Sequence, residues 1–129
     1  MKRYSVLTAC LTVAGLALSG TDWVSTAVAQ DLGAQAFNQC RACHTLQSDG
    51  RNGAGPNLHG LFGREAGSSP GFNYSPALKA SGLRWDDDTL DRFLAAPQKA
   101  VPGSRMPVSV SDPARRAALI NYLKGQTAN

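Results

Sequence analysis

Residues Cys40 to His44 read Cys-Arg-Ala-Cys-His, and no other five residues restrict the folding of this chain as strongly. Two thiols three positions apart, followed at once by an imidazole, suit three chemistries. They are a redox dithiol, part of a zinc site, or covalent attachment of a haem. Each needs a different setting, and the remaining sequence discriminates between them.

A thioredoxin-like dithiol needs a βαβ context, and no strand pattern precedes Gln39. A zinc site normally takes four protein ligands. Cys40, Cys43 and His44 offer three crowded together, and the only other histidine, His59, lies in a glycine-rich loop. Haem attachment accounts for every position. Thiols at i and i+3 on a helical turn can reach two vinyl groups on one porphyrin edge, and the next residue turns its imidazole toward the iron. Covalent attachment of this kind takes place outside the bacterial cytoplasm.

The start of the chain agrees with export. Lys2 and Arg3 form a basic head, an apolar run follows, and Ala27–Ala29 make a small-x-small cleavage site. Residues 1–29 therefore read as a signal peptide and residues 30–129 as one domain in the periplasm; an uncleaved anchor is the alternative. Cys10 is discarded with the leader, leaving Cys40 and Cys43. The whole chain carries 13 Lys and Arg against 9 Asp and Glu. Without the leader it stays mildly basic, too weakly to indicate nucleic acid and suited to acidic protein surfaces.

Three helical patterns occupy the domain. In the first, about Asp31 to Ala42, Gly33, Ala36, Phe37 and Cys40 share one face, which Cys43 and His44 extend. The second follows Asp86–Asp88, buries Leu90, Phe93 and Leu94, and stops at Pro97. The last is capped by Ser111 or Asp112, opens on Pro113, turns Leu119, Tyr122 and Leu123 inward, widened by Ile120, and has Gly125 near its end. Seven glycines fall between Gly50 and Gly71, too many for regular packed structure. Nothing alternates like a strand for long, so the expected class is all-α. A core this small with loops this long lacks apolar filling, which a large flat ligand would supply.

The other axial position on the iron has one strong candidate. Met106 is the single methionine after Met1, held in a stiff loop by Pro102, Gly103 and Pro107. His59 is the rival.

With these residues the chain resembles a class I cytochrome c of the mitochondrial-like type found in bacterial periplasms. The segments carrying the resemblance are Cys40–His44, Gly55–Gly67, Gly71–Ser75, Gly82–Trp85, Pro102–Met106 and Leu119–Lys124. It implies three main helices and long loops around one covalent haem c, with His44 and Met106 as axial ligands. It also implies a Pro56 carbonyl that orients the His44 ring, and Arg64, Tyr74 and Trp85 around a haem propionate. Gly33 and Phe37 are then expected to pack against Leu119 and Tyr122. The implied role is that of a soluble, monomeric electron carrier rather than an enzyme; the alternatives are a haem-based enzyme or gas sensor with an open sixth site, or a membrane-tethered carrier. Its donor would be a cytochrome bc complex and its acceptor an oxidase, a photosynthetic reaction centre or a reductase, with membranes met only through those partners.

Several positions depart from the family pattern. Phe93 and Leu78 replace a tyrosine and an asparagine on the methionine side, leaving Ser104 as a hydroxyl there. A drier site disfavours ferric charge, so the potential is expected not to fall. Gln39, Gly53 and Gln98 stand where lysines are common, while Arg51, Lys99 and Arg105 remain, so steering of acidic partners should be modest.

Overall fold

Capping residues decide where the helices of this chain begin. The computed structural model describes residues 22–128, with helices α1 (Asp22–Phe37), α2 (Pro76–Lys79), α3 (Asp87–Ala95), α4 (Pro97–Ala100) and α5 (Pro113–Thr127). Most of the expected leader, residues 1–21, lies outside the described part. Asp112 caps α5 by accepting from Arg115 N–H, and Pro113 takes the first position, where its missing N–H loses no helix bond. The far end of α5 passes through Gly125, and Gly60 N–H donates to the Thr127 carbonyl at 2.9 Å. A loop residue thus satisfies a carbonyl that the helix itself leaves open.

Asp86 caps α3 reciprocally: its side chain accepts from Thr89 N–H while the Thr89 hydroxyl accepts from Asp86 N–H. Leu90, Phe93 and Leu94 are buried as the periodicity requires. Pro97 ends α3 and then opens α4, since its fixed φ suits a first helical position.

The first helix differs from its expected span of Asp31 to Ala42. No glycine or proline lies between Asp22 and Leu32, so nothing halts the helix upstream. At its other end α1 closes at Phe37 and the chain tightens into turns. Cys40 N–H and Arg41 N–H both donate to the Phe37 carbonyl, and His44 N–H donates to that of Cys40 at 2.9 Å. The thiols and the imidazole therefore sit on irregular turns rather than on the helix.

α1 crosses α5 at Gly33. A Cβ there would lie 2.5 Å from both the Ala118 carbonyl oxygen and Tyr122 Cβ. The close neighbours of Gly33 are thus Ala118 and Tyr122, while Leu119, 0% exposed, fills the core. One turn on, Phe37 meets Tyr122 with ring centroids 5.6 Å apart. α3 packs on α5 and α4. Arg116 of α5, 8% exposed, pairs with Asp91 of α3 at 2.7 Å and donates to the carbonyls of Val110 and Ser111. Among the described residues the extended backbone amounts to one isolated antiparallel bridge, Glu65 to Arg84.

Two outcomes follow from these contacts. Gly33→Ala gains helix propensity but forces the helices apart, and denaturant melts of the haem-loaded protein should show a net loss of about 1–3 kcal/mol. Hydrogen bonds from Thr89 hold the Asp86 carboxyl below its ordinary 3.8. A folded value below the unfolded one stabilises above the unfolded value and is lost as pH falls through the folded one. The charge-dependent part of the stability difference between wild type and Asp86→Ala should therefore be undiminished at neutral pH, shrink below 3.8 and vanish in stronger acid.

Candidate functional site

The turns after α1 open onto a mostly apolar cavity of about 480 Å³, within the usual range for a bound small molecule. Cys40 and Cys43 stand on its wall, the first buried and the second exposed. Burial pushes the Cys40 thiol up, against a smaller opposite pull from Arg115, so it stays protonated.

His44 lines the same cavity. Its Nδ1 lies 2.8 Å from the Pro56 carbonyl, and since a carbonyl only accepts, Nδ1 carries the proton and donates. Burial pushes the ring's pKa down, partly opposed by that hydrogen bond. The imidazole is therefore neutral at neutral pH, with the lone pair of Nε2 free, the form in which histidine binds metals. Gly55 makes room for the ring, because a Cβ on it would sit 2.6 Å from His44 Cε1.

Met106 lines the cavity from the loop of Pro102, Gly103 and Pro107. Gly103 has φ +89°, which a side chain would strain, and a Cβ there would crowd Ala77. The Gln98 amide donates to the Ser104 carbonyl, Met106 N–H donates to Ser104 Oγ at 3.4 Å, and Arg105 donates to the Asn73 carbonyl. The loop is thus tied on both sides.

Arg64, Tyr74 and Trp85 also face the cavity. The Arg64 guanidinium donates to the carbonyls of His59 and Asn57, at 2.9 and 3.0 Å, and burial pushes its pKa down. Among the described residues neither the Tyr74 hydroxyl nor the Trp85 N–H finds a protein hydrogen-bond partner, which leaves both available to a polar group inside. Phe93 packs edge-on against Trp85 at 5.1 Å, and Phe93, Leu78 and Ser104 line the wall as the departures suggest. His59 is absent from that wall; its backbone is occupied with Asn57 and Arg64.

These residues fit a haem. Two thiols on the wall, a neutral imidazole, a thioether and an apolar lining suit a large flat group with a metal at its centre. A bare zinc ion has no such home, for among the described residues no three His, Cys, Asp or Glu side chains converge to hold a metal. Sequence reading missed Asn52, and gave Gly55 and Asn57 no role beyond their place in the Gly55–Gly67 segment; the partners of all three are set by folding.

The profile of the cytochrome c family matches residues 30–127. The chain is 47% identical over 92 residues to cytochrome c2 iso-1 of Magnetospirillum molischianum, covering 69% of this chain and 91% of that protein. It is 45% identical over 97 residues to cytochrome c of Gibberella zeae, covering 74% and 92%. Among solved structures, cytochrome cH from Methylobacterium extorquens superposes with a TM-score of 0.69 at 43% identity, covering 74% of this chain and 97% of that one.

The steric role of Gly55 can be measured. In haem-loaded Gly55→Ala the His44 ring should shift and its bond to Pro56 weaken by about 1.4 kcal/mol. NMR would then show the Nδ1 proton exchanging with water about tenfold faster.

Proposed function

The chain belongs to the cytochrome c family, electron carriers built on one covalent haem c, and we propose how its own residues serve that task. Cys40 and Cys43 would hold the haem through thioether bonds, and His44 Nε2 and Met106 Sδ would be the ligands to its iron. The observation that carries this reading is the His44 ring, neutral and oriented by Pro56, with Nε2 free in the cavity that Met106 also lines. When bound, the haem supplies one-electron chemistry between ferrous and ferric iron.

The remaining residues keep that chemistry reversible. Pro56 and Gly55 fix the imidazole plane, so little rearrangement accompanies a change of charge. Methionine sulfur is soft and favours the ferrous state. Phe93 and Leu78 bring apolar side chains to the cavity in place of polar ones, leaving Ser104 as a hydroxyl near Met106, and this also disfavours added positive charge. Arg64, Tyr74 and Trp85 present donors to a propionate. With His44 and Met106 both committed to the iron, no open position would remain there for a substrate.

Partners would be redox proteins, with a cytochrome bc complex as donor and an oxidase, reaction centre or reductase as acceptor. The three basic residues expected to steer them are all exposed, but Asp49, 2.7 Å from Arg51, offsets its charge and leaves Lys99 and Arg105. Steering would therefore rest mainly on those two. Periplasmic location, with residues 1–29 removed, is supported by a family match that starts at residue 30 and by the exposure of Ala27 to Gln30. No described helix is long and apolar enough to cross a membrane.

Replacing Met106 with alanine tests the assignment. The long-wavelength band of sulfur-to-ferric ligation should disappear, the potential should fall, and carbon monoxide should bind at neutral pH. Unchanged colour and potential would exclude Met106 and return the search to another ligand.

A further inference from the structure

The carbonyl of Pro56 and the N–H of Asn57 belong to one planar peptide group. The carbonyl accepts from His44 Nδ1 at 2.8 Å, and the N–H donates to Asn52 Oδ1, also at 2.8 Å. Asn52 Nδ2 donates to the Pro70 carbonyl at 3.0 Å, which fixes the end of the amide that faces Asn57. Asn57 is itself clamped. Its side-chain amide donates to Thr45 Oγ1 and the Gln47 carbonyl, both at 2.9 Å, and its carbonyl accepts from Arg64. The peptide plane is held at both ends and cannot swing.

Hydrogen bonds in such a row polarise one another. An amide that donates strongly through N–H becomes a better acceptor at its oxygen. We propose that Asn52 is a positioning residue for His44, acting through the Pro56–Asn57 peptide to orient the imidazole and set how electron-rich it is. The proposal rests on His44 as an axial ligand. A firmer pull on Nδ1–H enriches the ring and stabilises ferric iron, so Asn52 holds the reduction potential down.

The test uses the haem-loaded protein with two substitutions of similar size. Asn52→Leu removes the acceptor. At a fixed ambient potential its ratio of reduced to oxidised protein should rise by about 3–10-fold. Asn52→Asp keeps an oxygen for Asn57 N–H, now charged, but cannot donate to Pro70. Its ratio should fall below that of wild type. The NMR signal of the His44 Nδ1 proton should move upfield in the first variant and downfield in the second.

The added carboxylate lowers the potential by charge alone, so the Nδ1 signal decides: a residue that merely anchors the loop at Pro70 would leave it in place or move it the same way in both variants, and either result overturns the proposal. Should the leucine variant fail to fold, the wild type still decides. Scalar coupling across the hydrogen bond from Asn57 N–H to the Asn52 side-chain carbonyl must be present, and its absence overturns the proposal. Failure of the underlying ligation looks different. If His44 ring protons in the oxidised wild type lack paramagnetic shifts, His44 is not the ligand, and this proposal falls with that reading.

Discussion

The 2.8 Å hydrogen bond from His44 to the Pro56 carbonyl joins the turns after α1 to a loop that has no regular structure of its own. Its neighbours reinforce it. Gly55 N–H donates to the Cys43 carbonyl at 2.8 Å and Leu58 N–H to that of Thr45 at 2.9 Å. Segments 43–45 and 55–58 are thereby laced together, and the imidazole is oriented by backbone rather than by a mobile side chain. On the proposed ligation, the metal inherits that rigidity.

The second constraint is the crossing of α1 and α5 at Gly33, where backbone and side chain touch with no room for a methyl group. That crossing brings Phe37, Leu119 and Leu123 to one wall of the cavity, while Phe93 and Trp85 supply another from and beside α3. Each helix buries one stripe, and the stripes meet around a space instead of on each other. Stability in such an arrangement depends on what fills that space, because an apolar lining without contacts forfeits its dispersion energy.

Much of this was legible in the sequence wherever the signal is local. Asp112 with Pro113, Asp86 with its downstream stripe, and the Cys-x-x-Cys-His run each specify their structure within a few residues. The start of α1 was not legible, because nothing before Asp31 reads as a stop. The single turns α2 and α4 were missed because four residues carry no period. The Asn52–Asn57 network was hidden for a different reason: its bonds reach Thr45, Gln47, Arg64 and Pro70, and no repeat or spacing links those positions. The pairing of Arg51 with Asp49 likewise diminishes a charge that composition alone counts in full.

Cys40 is only 8% exposed, while Cys43, one turn of backbone later, opens to solvent. Solvent therefore meets the two cysteines of the folded chain unequally, although both stand on the cavity wall.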